Sequence, residues 1–277
     1  MASHLEALTE RSALKGASRM QKVVGRLARR GVFLALIVLV GSCGAESDGE
    51  MSRSADGAEV EITTFVGAGV QLEFGGVVIH VDPWSRGDYS DAEPADLILI
   101  TDTPGDHLDP DLIQELRKPG APVVLPSTPQ DARDEGSRDR LLRVRDGIVM
   151  NNGDRMTFPG VSVEALPMYD LIPGDPFHAK GEGNGYVITF GGKRIYLSGV
   201  TECIPEIQAL EDIDIAFIPM NLPNGRMPPS AAADCVKIFR PTVVYPYHYR
   251  ERPIDEFVEA LRGEPDIEVR VRDWYPS

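Results

Sequence analysis

The chain of 277 residues carries 42% hydrophobic and 26% charged residues, which suffices for one large core and makes a second globular domain unnecessary. Its formal net charge is −15, and the part that follows residue 42 has 21 basic and 41 acidic residues, a charge of −20. Such a surface repels phosphate backbones. Nucleic-acid binding is therefore not expected, and a small-molecule substrate or ligand is the expected partner.

The amino-terminal segment has the pattern of an export signal. Three arginines precede a nine-residue apolar run and a small-residue cleavage site: Arg26, Arg29, Arg30, residues 32–40 and Gly41-Ser42-Cys43. The apolar run is shorter than the roughly 20 residues that a membrane-spanning helix needs. Residues 1–42 are therefore predicted to be a signal peptide, with Met20 as an alternative start of translation.

The residues around the cleavage site, Leu39-Val40-Gly41-Ser42-Cys43, resemble the lipobox of bacterial lipoproteins. The resemblance implies cleavage before Cys43, lipidation of that cysteine and a membrane-anchored protein in the periplasm or cell envelope. Gly44 stands where an aspartate often signals retention in the inner membrane, so the outer membrane is preferred. An ordinary signal peptide with an incidental cysteine is the alternative. Residues 43–57 are small, polar and acidic, which is typical of a flexible tether.

A domain of residues 58–277 follows the tether. Its first part consists mainly of short β-rich runs bounded by Gly, Pro or Asp. The predicted strands are residues 60–65, 70–74, 77–81, 97–101, 123–125, 147–150, 161–166, 186–190 and 194–197. Phe190-Gly191-Gly192-Lys193 indicates a tight hairpin turn.

Helices and strands alternate in the last third of the chain. Strands are predicted there at residues 213–220, 243–247 and 267–271, and helices at 204–210, 231–239 and 254–261. A further helix is predicted earlier in the chain, at 111–116. Residues 131–145 are charged and favour a solvated helix or loop. Two sheets covered by helices are the natural packing of these elements.

Two cysteines, Cys203 and Cys235, lie within the predicted domain. An oxidising compartment permits a disulfide between them. A bridge needs Cα atoms within about 7 Å, however, and sequence separation says nothing about that distance. Two unpaired thiols are therefore the expectation, with a disulfide as the alternative.

One acidic residue and two histidines occur where strands are predicted to end. Asp106 and His107 follow the strand at 97–101 and precede a helix, and His248 follows the strand at 243–247. Side chains at strand ends are held by a rigid scaffold and still reach open space. A carboxylate and two imidazoles can bind zinc, iron or manganese and leave a position for water, while an N-cap beside a surface histidine is the alternative.

The sequence around these residues resembles a known superfamily. Thr101-Asp102-Thr103-Pro104-Gly105-Asp106-His107 resembles the Thr-His-x-His-x-Asp-His signature of metallo-β-lactamase-fold hydrolases, at the same strand-to-helix junction. Further motifs follow in the order seen in the branch that contains L-ascorbate-6-phosphate lactonase: Asp82-Pro83-Trp84, residues 183–187, residues 194–202, residues 214–219 and Tyr245-Pro246-Tyr247-His248-Tyr249. The resemblance implies an α/β fold, a four-layer αββα sandwich of two mixed sheets with the site at one edge.

The chain departs from the family pattern at the first of the two usual metal positions. Asp102, Pro104 and Asp170 stand where the family has histidines, and Val200 replaces the aspartate that bridges the two metals. The ligands of the second metal correspond to Asp106, His107 and His248. The resemblance therefore implies at most a one-metal site, with zinc as the expected ion or no metal at all.

Two functions follow from this pattern. In the first, one metal activates water for hydrolysis of a lactone or ester, with Asp102 or Asp170 as an oxygen ligand or as the general base. In the second, the domain is a non-catalytic binding protein that has lost its metal. His178 and Tyr169 are candidate substrate contacts, although a solvent-exposed loop is the favoured interpretation for His178 and packing for Tyr169. His80 is expected to be a hydrogen-bonded structural residue.

Overall fold

The computed structural model describes residues 59–127, 134–174, 176–220, 226–250 and 252–275. These residues belong to one unit of the chain, Ser52–Ser277. The predicted signal peptide, the lipidation site and the tether lie outside the described residues. None of the helices in the described ranges is long and apolar enough to cross a membrane.

The first sheet has six strands in sequence order. They are β1 (Glu61–Thr64), β2 (Val70–Phe74), β3 (Val77–Val81), β4 (Leu97–Leu99), β5 (Val123–Pro126) and β6 (Gly147–Met150). The first three strands run antiparallel, and β3 to β6 run parallel. The parallel strands end at one edge of the sheet, and the loop after β4 carries two of the candidate metal ligands there.

The second sheet has seven strands, arranged in reverse sequence order. They are β7 (Arg155–Phe158), β8 (Val161–Met168), β9 (Gly183–Phe190), β10 (Lys193–Leu197), β11 (Ile215–Pro219), β12 (Val243–Tyr247) and β13 (Glu268–Val269). Strands β7 to β10 are antiparallel, and β10 to β13 are parallel. Phe190 pairs with Lys193, which confirms the predicted hairpin.

The helices are α1 (Pro110–Leu116), α2 (Glu135–Arg143), α3 (Pro205–Gln208), α4 (Pro229–Phe239) and α5 (Ile254–Leu261). Strand β4 shows how the layers form. Leu97 and Leu99 point into the large core that both sheets share, whereas Ile98 on the other face packs with the apolar side of α1. Because successive strand residues face opposite sides, a fully apolar strand must be covered on both faces. The αββα sandwich with two mixed sheets is confirmed.

Two features differ from the sequence-based expectations. Strand β7 was not predicted: it has four residues, and its alternating exposure is that of an edge strand with one partner. The expectation of unpaired thiols was wrong, since Cys203 and Cys235 form a disulfide with their Cα atoms 5.7 Å apart. Cys203 precedes α3 and Cys235 lies on α4, so the packing of these helices brings the thiols together.

Candidate metal centre

The ends of β4 and β12 bring three metal-binding side chains together. Asp106 and His107 lie in the loop between β4 and α1, and His248 directly follows β12. One ligand atom from each lies within 4.8 Å of the other two, and the imidazole ring centres are 5.2 Å apart. Both histidines are buried, while Asp106 is half-buried. Within the described ranges, this is the one such group of three or more His, Cys, Asp or Glu.

Asp82 orients His107. Asp82 directly follows β3 and has a left-handed backbone conformation, with a φ of 45°. Its carboxylate is fully buried. It accepts hydrogen bonds from the backbone N–H of Thr101 at 2.7 Å and the Thr101 hydroxyl at 2.5 Å, and its Oδ2 lies 2.8 Å from His107 Nδ1. A bond at Nδ1 fixes the ring and leaves Nε2 to bind a metal, as is usual for metal-binding histidines.

His248 has polar atoms that the protein does not satisfy. Its Nδ1 is buried without a hydrogen-bond partner among the described residues, and its Nε2 lies 3.7 Å from Asp106 Oδ2, beyond hydrogen-bond distance. Buried polar groups without partners are costly and rare. The Nε2 atom of His248 faces Asp106 without a hydrogen bond and is available to bind a metal. Two imidazoles and one carboxylate whose ligand atoms lie within 4.8 Å of one another are a common donor set for a divalent ion, so the residues present fit the metal that the cluster implies.

The charges of the cluster already favour its acidic member as an anion. Although burial opposes ionisation, the imidazoles of His248 and His107 lower the pKa of Asp106 well below its usual range. Burial lowers the pKa of His248, and the attraction of Asp106 offsets this only in part. Burial also opposes the charged form of His107, but the carboxylate of Asp82 outweighs it and raises the pKa to about 9.

A second buried cluster lies beside the first one and contains His178. The His178 imidazole lies between two carboxylates: Nε2 is 3.4 Å from Asp102 Oδ2, and Nδ1 is 3.5 Å from Asp170 Oδ1. Arg226 donates to Asp170 over 2.7 Å and lies 3.2 Å from Glu202. Burial opposes the charge of His178, yet the two carboxylates raise its pKa to about 9. The cluster thus places two cationic side chains among three acidic ones.

This arrangement corrects the expectation for His178. A solvent-exposed loop was predicted, but the side chain is buried, because the Asp170 carboxylate accepts the backbone N–H of His178 at 2.9 Å and draws the loop inward. Asp102 and Asp170 are not members of the three-residue ligand group in the described part of the chain. The charge of Asp102 nevertheless acts on His107, so the two clusters are neighbours.

The other candidates occupy different surroundings. The Tyr169 hydroxyl donates to Glu206 at 2.9 Å, and the ammonium of Lys180 lies 4.9 Å above its ring. His80 is buried with Nε2 2.8 Å from the carbonyl oxygen of Glu93, which confirms its structural role. Val200 is buried in the large core.

Sequence reasoning missed the role of Asp82. Its motif with Pro83 and Trp84 is visible after β3, but the bond to His107 spans 25 residues and depends on the parallel pairing of β3 with β4. The available signal was an acidic residue at the carboxyl end of the strand next to the one that leads to His107.

Comparisons with known proteins agree with this geometry. Residues 61–248 match the family described as beta-lactamase superfamily domain. A UPF0173 metal-dependent hydrolase of Aeropyrum pernix is 30% identical over 221 residues, covering 73% of this chain and 86% of the relative. A UPF0173 metal-dependent hydrolase of Thermococcus kodakarensis is 30% identical over 198 residues, covering 68% of this chain and 84% of the relative.

Solved structures give the same result. A candidate metal-dependent hydrolase of Parabacteroides distasonis superposes with a TM-score of 0.68 at 38% identity, covering 78% of this chain and 94% of that one. The metallo hydrolase Igni18 of Ignicoccus hospitalis has the same fold, with a TM-score of 0.61 at 24% identity over 77% of this chain and 94% of that one. The chain therefore belongs to the metallo-β-lactamase-fold superfamily and, within it, to the family of UPF0173 metal-dependent hydrolases.

Proposed function

We propose that the chain is a hydrolase of lactones or related esters that works with a single divalent metal, held by Asp106, His107 and His248. The convergence of these three side chains carries the proposal. Zinc is the expected ion, because two imidazoles and one carboxylate are a common ligand set of catalytic zinc sites. When bound, the metal supplies a Lewis acid that polarises the substrate carbonyl and activates water.

The His178 cluster supports one metal rather than two. The resemblance assigns the positions of Asp102 and Asp170 to a first metal, and these carboxylates contact His178 instead. Arg226 adds a second cation at Asp170. Removing either cation would take a counter-charge away from buried carboxylates, which is strongly unfavourable. A further metal would have to displace both cations from this cluster.

The two acidic candidates then take different roles. The charge of Asp102 helps to raise the pKa of His107, so Asp102 acts electrostatically on one of the candidate metal ligands. We assign proton transfer to Asp102 as the general base. Asp170 is held by Arg226 and by the backbone N–H of His178, so it acts as a positioning residue. Asp102→Asn should abolish the acidic limb of the pH–rate profile, whereas Asp170→Asn should lower the rate without removing that limb.

Turnover of a lactone and an ester tests the activity. We expect the zinc-loaded domain to hydrolyse γ-thiobutyrolactone or 4-nitrophenyl acetate, and Asp106→Asn to lose both zinc and activity. Asp154→Asn is the matched control, because Asp154 accepts hydrogen bonds from Asn151 in the β6–β7 turn and takes no part in the cluster. Equal rates for wild type and Asp106→Asn would contradict a metal-dependent reaction.

A non-catalytic binding protein is the second candidate, and the His178 cluster favours it because a buried ion-pair network replaces part of the usual catalytic machinery. It predicts that zinc binds without turnover of any ester or lactone, or that zinc does not bind at all. The metal content of the purified domain, measured together with the rates above, separates the two functions.

We further propose that Cys43 anchors the protein to the membrane of the cell envelope, with the outer membrane preferred. The lipobox resemblance at Leu39-Val40-Gly41-Ser42-Cys43 supports this. Labelling of the full chain with a palmitate analogue should depend on Cys43 and disappear in Cys43→Ala. Labelling that survives this substitution would refute the anchor, whatever the outcome for the hydrolase.

A further inference from the structure

A pocket of about 500 Å³ opens beside the candidate metal ligand Asp106. Five separate segments form its wall: the β1–β2 turn, the loops after β3, β4 and β12, and the carboxyl-terminal segment. Its lining includes Gly67, Trp84, Arg86, Asp106, Arg250 and Tyr275. We call this the arginine pocket. It lies directly at the metal centre, since Asp106 belongs to both.

Arg86 supplies a cation to this pocket. Its guanidinium carbon lies 4.9 Å from the centre of the Trp84 ring, so the indole face supports the side chain. Among the described residues, no carboxylate lies within salt-bridge distance of Arg86. A guanidinium that is held in place and lacks an acidic partner is suited to bind an anion from solution.

The backbone of the β1–β2 turn makes room for this support. Gly67 has φ 87°, and a β-carbon there would lie 3.1 Å from the Trp84 ring. Only glycine adopts this backbone without strain and also allows the indole to pack so closely. The position of Trp84, and with it that of Arg86, is therefore built into the fold.

Arg250 supplies the second cation. It lies two residues after His248, and its Nη2 is 3.3 Å from Asp106 Oδ2. Its side chain is 57% exposed, so the guanidinium can still bind another group. Tyr275 adds no negative charge at neutral pH, since a phenol ionises only near pH 10 and burial raises the pKa of Tyr275 further, to about 12. The arginine pocket is thus cationic in a chain whose overall charge is −15.

We propose that the arginine pocket binds an anionic group of the substrate, a carboxylate or a phosphate, between Arg86 and Arg250. The inference rests on the proposed function in one respect: the ester or lactone bond would lie at the metal centre, on the other side of Asp106. The substrate class is then an ester or lactone that carries an acidic substituent a few bonds from the carbonyl.

Tryptophan fluorescence provides a direct binding assay. The chain has two tryptophans; Trp84 lines the pocket, and Trp274 is fully buried. Methylphosphonate and succinate are the anionic probes, and dimethyl methylphosphonate and succinamide are their neutral counterparts. We expect a saturable signal from one or both anions and none from the neutral compounds. Arg86→Gln should weaken the affinity for the anion about tenfold or more. Arg262→Gln removes the same charge from the surface outside the pocket and should leave that affinity unchanged.

Each outcome either identifies the bound anion or overturns the inference. A response to succinate alone assigns a carboxylate, and a response to methylphosphonate alone assigns a phosphate. Unchanged affinity in Arg86→Gln, or no response to either anion with zinc-loaded and zinc-free protein, overturns the inference. Anion binding that depends on Arg86 in a protein without affinity for zinc would refute the proposed function and leave the anion site standing.

Discussion

The contact between Asp82 and His107 predicts a large effect of one distant residue on metal affinity. In Asp82→Asn the Thr101 backbone bond can persist, and asparagine tolerates the left-handed φ of 45° as aspartate does. The substitution removes the charge that orients His107 Nδ1 over 2.8 Å. Loss of such a supporting group costs about 10- to 100-fold in affinity, or about 1–3 kcal/mol.

Competition with a chromogenic chelator measures this effect. Zinc affinity should fall about 10- to 100-fold in Asp82→Asn while the fold is retained. Asp96→Asn is the matched control, because Asp96 also accepts a backbone N–H near β3, from Val78 at 2.9 Å, and lies outside the cluster. Equal zinc affinity of Asp82→Asn and wild type would refute the idea that Asp82 sets the orientation of the metal ligand.

Three further predictions concern stability, measured as the free energy of unfolding in urea. The raised pKa of His178 contributes stability that is complete below pH 6.5 and is lost as the pH rises through about 9. Over that range the free energy of unfolding of the wild type should fall by about 3 kcal/mol relative to that of His178→Gln, and parallel pH curves for the two proteins would contradict this. Reduction of the Cys203–Cys235 disulfide should cost about 4 kcal/mol, from the 32-residue loop that it closes, and an unchanged urea midpoint would contradict the bond. Gly199→Ala should cost at least about 2 kcal/mol, because its φ is 65° and a β-carbon would clash with the sulfur of Met168. Gly192→Ala, with φ 73° and open space, should cost only about 1 kcal/mol, and equal losses would refute the clash.

The sequence predicted the layered fold because each layer has a local signature. Apolar runs such as β4 and β12 are buried on both faces, and the short helices carry apolar residues on one side. Hydrophobic periodicity therefore defined the elements without knowledge of their partners. Strand β7 escaped detection because its alternation extends over only four residues, and its pairing with β8 became visible only in the structure.

The metal cluster was foreseeable to a lesser extent. Asp106, His107 and His248 stand at predicted strand ends. Because β4 belongs to the first sheet and β12 to the second, their meeting depends on how the two sheets pack, which the sequence does not specify. The surroundings of His178 were not foreseeable. Its loop is rich in glycine and proline, which indicates exposure, yet the imidazole is buried between the carboxylates of Asp102 and Asp170. Long-range ion pairs of this kind leave no periodic trace in the sequence.

Zinc stoichiometry, measured by native mass spectrometry and by calorimetric titration of the metal-free domain, tests the central claim most directly. The account predicts one zinc ion per chain in the wild type, no tightly bound zinc in His248→Gln, and one zinc in His178→Gln, because His178 neighbours the cluster but is not a ligand. Two zinc ions per wild-type chain, or unchanged zinc binding in His248→Gln, would contradict a single site formed by Asp106, His107 and His248.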